Sequence, residues 1–438
     1  MKKILSLVLA LLMVLSCMSF AAAEEKGVIN VYAFTDEVPT MLQHYLDTHP
    51  DFNYTLNVTI IATTDGLYQP ALDQALSAGG ADAPDIYCAE SAFVLKYTQG
   101  DMASYAAAYD DLGINTAEAI KEADIAQYTV DIGTRPSDGK VVGLGYQATG
   151  GAFIYRRSIA KDVWGTDDPE TVSSKIGPGW DKFFEAAAEL RAKGYGIVSG
   201  DGDIWHAIEN SSEKGWLTED GELYIDPARE EFLDLSKKLK DNDYHNDTQD
   251  WTDAWYADMK GIGEKGILGF YGPAWLINYT IGPNAPETSG DWAICTPNVG
   301  FFWGGTWLLA NKDTEKKDAV AELINWVTLD CTTEGLQYGW ANGNLYGDAG
   351  TKDCVGSGTV MAMSDGTLEF LGGQNMFDVF VAANQYANGK NLTQYDESIN
   401  SLWRDAVRQY TGGAMTREEA IEYFKTSVAD QLGIEAAQ

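Results

Sequence analysis

The sequence predicts an α/β protein made of two lobes, each a sheet flanked by helices. Its 438 residues exceed what one hydrophobic core commonly organises, and 45% of them are hydrophobic, as in a globular chain. Strand-like and helix-like patterns alternate over residues 28–90, which is typical of a parallel sheet covered on both faces. Two strand-like runs within residues 141–155, separated by a glycine-containing bend, indicate that the chain then crosses into a second lobe.

The N-terminal elements give the order β-α-β-α-β. Residues 28–34 form a short apolar run that suits a buried strand, residues 54–60 alternate as in a strand, and residues 84–90 give a third. The first intervening helix is predicted to end at His49, before a proline, and the second before Gly79.

Four residues at the carboxyl ends of these strands are candidate ligand contacts, because sheets of this kind bind ligands beyond that edge. Phe34, Thr35 and Asp36 follow the first strand, and Glu90 ends the third. An alternative is that Thr35, Asp36 and the neighbouring Ser91 cap the helices that follow them.

Residues 251–307 hold six of the thirteen tryptophans. Several of these rings stand beside glycine or proline, at turns that present a side chain to a cleft. Aromatic faces with nearby carboxylates and amides, and few cations, suit a neutral ligand rich in hydroxyl groups, such as a sugar. The alternative is that these rings belong to the core. The candidates from this stretch are Trp255, Tyr271, Trp275, Trp303 and Trp307.

Four further candidates lie outside that stretch. Tyr146 and Gln147 fall at the bend between the two strand-like runs, where one offers a ring and the other an amide. Trp205 is predicted to lie in a polar loop, residues 201–206, where a core position and a cleft position are both open. Asn342 follows a tryptophan in a segment rich in glycine and asparagine.

Charge excludes several classes of partner. The formal net charge is −35, and removal of residues 1–23, which carry two lysines and no acid, would move it to −37. Such a chain repels nucleic acid and anionic lipid head groups. We therefore expect no nucleic-acid partner, and a monomer that binds a small molecule.

The first 23 residues are predicted to be an export signal. Lys2 and Lys3 precede an apolar run, residues 4–15, that is too short to span a bilayer, and three alanines end the segment. Residues 14–17 resemble a bacterial lipobox, in which Cys17 would be lipidated, so cleavage there and cleavage after Ala23 both stay open. We expect an exported protein, either periplasmic or held on the outer face of the cell membrane as a lipoprotein.

Signals for a metal, a cofactor or catalysis are weak. The four histidines stand in no paired metal spacing, and residues 241–247 alternate acids without the glycine and final glutamate of a calcium loop, which favours a solvated helix end. We expect no cofactor and no enzyme, although 65 acidic residues leave a glycosidase pair open. Cys331 and Cys354 could pair, or they could stay reduced with the remaining two, Cys88 and Cys295.

Six segments in a fixed order carry a family resemblance. They are Gly139 with Lys140, the helix start Gly179-Trp180-Asp181, and residues 153–156, 264–275, 290–294 and 304–311. In this order they resemble the family 1 extracellular solute-binding proteins of ABC importers, the carbohydrate-binding group that is similar to maltose-binding protein. The resemblance covers nearly the whole mature chain, and family members likewise end in a glycine followed by a threonine-capped helix, here at Thr416.

The resemblance implies a type II periplasmic-binding-protein fold with a ligand cleft between its lobes. Lobe one would hold residues 28–137 and 298–330, and lobe two residues 138–297 and 331–438. The function implied is capture of a neutral sugar, an oligosaccharide by preference, through hinge closure, with an ABC permease as partner. Trp275 and Trp303 rank first as cleft residues. A polyamine or peptide carrier and a secreted carbohydrate-active enzyme remain as alternatives.

Overall fold

The computed structural model describes residues 26–63, 66–347 and 352–437. The predicted export signal and Cys17 lie outside these residues. The strands are β1 Gly27–Ala33, β2 Tyr54–Ile60, β3 Ile86–Glu90, β4 Thr134–Arg135, β5 Lys140–Val141, β6 Gly143–Gly145, β7 Ala152–Arg156, β8 Gly269–Gly272, β9 Trp292–Cys295, β10 Thr306–Ala310, β11 Thr367–Leu368 and β12 Gln374–Asn375.

The helices separate and follow these strands. In chain order they are α1 Glu37–Thr48, α2 Tyr68–Ala78, α3 Val94–Thr98, α4 Thr116–Ala123, α5 Gln127–Gly133, α6 Arg157–Trp164, α7 Pro169–Ile176, α8 Gly179–Ala192, α9 Asp201–Ser211, α10 Pro227–Asp241, α11 Asp253–Lys260, α12 Gly282–Asn284, α13 Lys317–Thr328, α14 Leu336–Asn342, α15 Gly358–Ala362, α16 Phe377–Ala383, α17 Asp396–Thr411 and α18 Arg417–Leu432. A π-helical turn, Leu276–Ile281, precedes α12, and five 3₁₀ turns lie at Ala103–Tyr105, Tyr109–Leu112, Pro286–Thr288, Glu369–Leu371 and Asn384–Tyr386.

The first sheet has five strands in the order β2-β1-β3-β10-β6. Strand β1 is parallel to both β2 and β3, whereas β10 runs antiparallel to β3 and β6. The predicted order β-α-β-α-β over the first 90 residues is confirmed. Its physical basis is local, because buried residues such as Ile29, Val31 and Ile86 form the core side of the strands.

The second sheet has three strands, with β7 in the centre between β8 and β9, both antiparallel to it. Helices α7 and α8 cover it through buried residues that include Val172, Phe183 and Leu190. The chain passes between the two sheets at residues 146–151 and again at residues 296–305, and isolated bridges join Gln147 to Val355 and Gly150 to Phe302. The predicted fold class, two α/β lobes, is confirmed.

The C-terminal part is helical and packs on the second lobe. Helix α17 contacts α10 and α18. The capping box predicted at the start of α18 is confirmed, because Thr416 N–H donates to Glu419 Oε2 at 2.8 Å and Glu419 N–H donates to Thr416 Oγ1 at 3.2 Å. None of the described helices is long and apolar enough to cross a bilayer.

The polar loop predicted at residues 201–206 is wrong, because helix α9 starts at Asp201. The buried Asp203 carboxylate accepts hydrogen bonds from Ser199 N–H and Gly200 N–H. Ile204 and Trp205 face the core. The four described cysteines are free thiols, so Cys331 and Cys354 are not joined.

Candidate functional site

A cleft of about 450 Å³ opens where the two lobes meet. The end of β3 lies on one side, helix α9 and the loop before α11 lie on the other, and residues 302–304 and helix α17 close it. Its lining residues are Glu90, Ser91, Ala92, Leu95, Trp205, His206, Glu209, Asn210, Gln249, Asp250, Trp251, Phe302, Trp303, Gly304, Leu392, Thr393, Asp396, Glu397, Asn400, Ser401, Arg404 and Arg408.

Trp303 is held at the base of this cleft by its own backbone and by a stacked ring. Its N–H donates to Thr149 O at 3.0 Å. The His206 ring lies parallel to the indole, with 3.6 Å between the ring centroids and an interplanar angle of 16°. The side chain is half-buried, so one part of the ring is supported and another faces the cleft.

Gly304 allows two tryptophans to approach each other. Its φ of +78° lies in the left-handed region, and a Cβ atom there would stand 3.2 Å from Nε1 of Trp275. Trp275 uses that nitrogen to donate to Trp303 O at 3.0 Å, and its ring meets the Trp303 ring edge-on at 4.7 Å. A glycine at this position therefore permits the close packing of the two indoles.

Trp251 completes a cluster that we call the aromatic wall, formed by Trp251, Trp275 and Trp303. Trp251 and Trp303 line the cleft, whereas Trp275 packs against both rings and is not part of the lining. Its ring is parallel to that of Trp275, at 6.0 Å and 9°, and it is 54% exposed. Its φ is +65°, a conformation that residues with a Cβ atom rarely adopt outside special sites. An exposed indole held in a strained turn beside a cleft is a feature of binding sites more than of cores.

Three polar residues of the cleft lining, Asp250, His206 and Arg404, lie close to one another. Asp250 lies 3.4 Å from His206 Nε2 and 3.3 Å from Arg404 Nη2. Although burial opposes it, these two partners hold the pKa of Asp250 well below its usual range. Burial lowers the pKa of His206, against the opposing effect of Asp250.

The strand-end candidates lie at one edge of the first sheet. Glu90 lines the cleft, where its carboxylate accepts from Ser91 Oγ and Ala92 N–H, each at 2.8 Å; burial raises its pKa. Phe34 is half-buried and meets Phe93 edge-on, whereas Thr35 and Asp36 are exposed. Asp36 precedes α1 without a capping hydrogen bond from its side chain, so the capping alternative is wrong for this residue.

Other candidates from the sequence are buried. Trp255, Tyr271 and Trp307 are at most 1% exposed and pack in the core, because α11, β8 and β10 are covered on both sides. Trp307 Nε1 donates to Thr129 O at 3.0 Å, and Tyr271 donates to Asn298 Oδ1. The structure thus places these three rings away from the cleft wall.

The remaining candidates are divided between core and cleft edge. Trp205 is 2% exposed and packs against Phe232, yet it borders the cleft. Tyr146 is buried and donates to Glu37 Oε1, and Gln147 Nε2 donates to Asp353 Oδ2 at 3.1 Å. Asn342 is satisfied by local bonds to the Tyr338 carbonyl and the Ser364 hydroxyl.

Several cleft residues were missed by the sequence reasoning. Trp251 stood in the tryptophan-rich stretch, and its position before a helix start at Asp253 was the available signal. His206 follows Trp205, which was singled out. Asp396 and Arg404 gave no signal, because they are two of several charged residues on an amphipathic helix.

Comparison with known proteins identifies relatives. Residues 32–330 match the family described as bacterial extracellular solute-binding protein. No curated protein sequence matches the chain significantly. Solved structures do: an extracellular solute-binding protein of family 1 is 19% identical, with a TM-score of 0.72, over 92% of this chain and 99% of that chain.

Two similar structures contain sugars. The ABC-transporter-associated binding protein of B. animalis subsp. lactis, in complex with β-1,6-galactobiose, is 19% identical, with a TM-score of 0.65, over 94% of this chain and 100% of that chain. The galacto-N-biose and lacto-N-biose I binding protein of Bifidobacterium longum, in complex with lacto-N-biose, is 16% identical, with a TM-score of 0.66. The match covers 94% of this chain and 99% of that chain. At these identities the likeness shows the shared two-lobe fold.

Proposed function

This chain belongs to the bacterial extracellular solute-binding protein family, and we propose that it captures an oligosaccharide in the cleft between its lobes and delivers it to an ABC permease. The observation that carries the proposal is the aromatic wall of Trp251, Trp275 and Trp303. The C–H face of a pyranose packs on an indole, and the surrounding carboxyl and amide groups can bond its hydroxyls.

The size and composition of the cleft support a short oligosaccharide. A volume of about 450 Å³ lies within the range of small-molecule sites. Asn210 and Gln249 supply amides at its edge, and Glu90 supplies a carboxyl group. Proteins of the same fold have been solved with disaccharides such as β-1,6-galactobiose and lacto-N-biose.

The proposed mechanism is closure about the segments that pass between the lobes. A sugar that contacts Glu90 on one side and Trp303 on the other stabilises the closed form, which the permease then recognises. We propose lobes that differ from those expected from the sequence in two places. The first crossing lies at residue 146 instead of 138, since β6 pairs with β10 in the first sheet, and helices α14 and α15 join lobe one, where they contact α13 and α4. The protein would act as a monomer.

A polyamine is the second candidate, because the cleft contains more carboxyl groups than cations. The family and the fold are those of non-enzymatic binding proteins. We therefore propose capture without turnover, and no reaction is assigned to the cleft.

The experiment is intrinsic tryptophan fluorescence and melting temperature of the mature protein against mono- and oligosaccharides and spermidine. A ligand at one hundred times its Kd stabilises the folded state by about 2.7 kcal/mol. A response to one sugar family, with the sugar recovered intact, supports the proposal. A response to spermidine alone favours the polyamine carrier, and cleaved sugar would contradict a pure binding role.

A further inference from the structure

Four carboxyl groups line one part of the cleft, where Glu90 neighbours Glu397 and Glu209 neighbours Asp396. We call this set the acidic end: Glu90, Glu209, Asp396 and Glu397. Glu90 comes from the first lobe, whereas the others come from α9 and α17. A solute that spans the cleft therefore meets carboxyl groups from both sides.

Neither arginine of the cleft forms an ion pair with a carboxyl group of the acidic end, although Arg404 attracts Glu209 from a longer distance. Arg404 pairs with Asp250 at 3.3 Å and Arg408 with Asp405 at 3.5 Å. Within residues 26–63, 66–347 and 352–437, none of the four carboxyl groups has a lysine, arginine or histidine nitrogen within 4.0 Å. Asp396 is buried, Glu90 and Glu209 are half-buried, and Glu397 is exposed. Because a buried carboxylate that lacks a counterion is costly, this end of the cleft favours a positive charge.

Asp396 shows most clearly that a hydrogen-bond partner and a counterion are missing from the described part of the chain. The residue is only 7% exposed, and its Oδ1 accepts from the Thr393 hydroxyl at 2.6 Å and from Thr393 N–H at 3.0 Å. Its Oδ2 has no hydrogen-bond partner among the described residues. Arg229 attracts the Asp396 carboxylate but forms no ion pair with it. The Arg229 guanidinium lies over the Trp216 ring at 4.3 Å and donates hydrogen bonds to two backbone carbonyls.

The pKa values of these carboxyl groups agree with the absence of a nearby cation among the described residues. Burial raises the pKa of Glu209 to about 7 and that of Asp396 to about 6. Burial also raises the pKa of Glu90 and of Glu397. Without a cationic ligand, these carboxyl groups thus compete with protons near neutral pH.

We infer that the acidic end is a subsite for a primary ammonium group, so that the solute is an oligosaccharide that carries a basic amine. An ammonium group offers three hydrogen-bond donors and one positive charge, which suits several carboxylates with free acceptor positions. The nearby indole of Trp251 adds a cation–π surface, and the net charge of −35 steers cations toward the molecule. The inference rests on the proposed function and replaces the neutral ligand expected from the sequence.

The pH dependence follows from the groups that face the subsite. The four carboxyl groups must be ionised to hold the amine; the other charged or titratable side chains of the cleft are His206, Asp250, Arg404 and Arg408, with Arg229 packed beside Asp396. As the pH falls from 7 to 5 the carboxyl groups of Glu209 and Asp396 take up protons, so affinity for the amine falls. The amine itself gains protons over this interval, so weaker binding at pH 5 reports the protein and not the ligand.

Calorimetry on the full mature protein tests the inference with matched ligands. The glucosamine and galactosamine disaccharides are compared at pH 7 with their N-acetylated counterparts, which lack the charge, and with spermidine. We expect at least roughly tenfold tighter binding of one free amine than of its acetylated partner, as for a charge-assisted hydrogen bond. That preference should shrink at pH 5 and in the variant Asp396→Asn, but not in Glu231→Gln, an exposed carboxyl on α10.

Each outcome decides between the claims. Equal or tighter binding of the acetylated sugar would overturn the ammonium subsite and leave the proposed function intact. Binding of spermidine without any sugar would keep the subsite and overturn the sugar. No binding by any ligand would contradict both. If Asp396→Asn fails to fold, the comparison of free and acetylated sugars on the unaltered protein still decides.

Discussion

Three tryptophans of the stretch from 251 to 307 form the aromatic wall, and three lie in the core. Trp255, Trp292 and Trp307 are at most 1% exposed, whereas Trp251 is 54% exposed and Trp275 and Trp303 are half-buried. The residue type and the stretch of chain are the same. The difference lies in the backbone that holds each ring.

The core rings sit on regular elements that are covered on both sides. Trp292 and Trp307 belong to strands β9 and β10, and their ring N–H groups donate to Thr288 Oγ1 at 2.6 Å and Thr129 O at 3.0 Å. The wall rings sit where regular structure stops: Trp251 in a left-handed turn and Trp303 directly before Gly304. Irregular backbone thus leaves aromatic surface free for a ligand.

The largest effect should come from a core ring. Trp307→Ala removes a buried indole and its hydrogen bond, so we expect the free energy of unfolding to fall by about 3–5 kcal/mol. Trp303→Ala, at a half-buried position, should lower it by about 1–2 kcal/mol. Denaturant unfolding without ligand measures both, and similar losses for the two variants would abolish the distinction between wall and core.

The second effect concerns binding. Trp303→Ala should weaken binding of the sugar identified in the ligand panel by roughly 100-fold, as expected for a central aromatic contact. Trp164→Ala is the matched control, because this half-buried indole lies at the end of α6, outside the cleft lining, and donates to Glu189. Calorimetry should find the control unchanged; equal losses would mean that the effect is not specific to the wall.

A third prediction concerns the glycine that permits the close approach of two wall rings. Gly304→Ala forces a Cβ into a left-handed backbone, 3.2 Å from Trp275, so it should lower the free energy of unfolding by about 1–2 kcal/mol. It should also weaken sugar binding, because Trp275 must shift. Gly165→Ala, at φ +75° with open space around it, is the control that has backbone strain without the ring contact. Unaltered sugar affinity in Gly304→Ala would contradict this account of the wall.

The smallest effect should distinguish strain from packing. Trp251→Gly relieves the left-handed conformation, which costs a residue with a Cβ about 1–2 kcal/mol, but it loses ring contacts and gains unfolded-state entropy. We expect stability to change by less than about 1 kcal/mol while sugar affinity falls. A loss as large as that of Trp307→Ala would show that Trp251 serves the core.

The sequence predicted the local part of this architecture well. Strands β1 to β3 and helices α1 and α2 follow from periodicity and stop signals, which depend on neighbours in the chain. The family resemblance ranked Trp275 and Trp303 first as cleft residues. Both are half-buried; Trp303 lines the cleft and Trp275 packs against it, and their contact with a ligand stays a prediction. The sequence also predicted Trp307 as a ligand contact, because its neighbouring glycines resemble those of a turn. Trp307 instead lies on β10, an inner strand of the first sheet, and is buried.

The rest of the cleft depends on distant parts of the chain. Asp250 meets Arg404 across 154 residues, and Glu209 meets Asn400 across 191. No period or spacing within one sequence encodes such pairs, because they arise from how α17 packs onto the second lobe. The acidic end was invisible for the same reason, since its members come from three separate elements.

Small-angle scattering with and without the sugar identified in the ligand panel tests the central claim, capture by closure of two lobes on the aromatic wall. The account predicts a smaller radius of gyration when the sugar is present at saturation, and no change for Trp303→Ala at the same concentration. Bound sugar with an unchanged scattering curve would contradict closure.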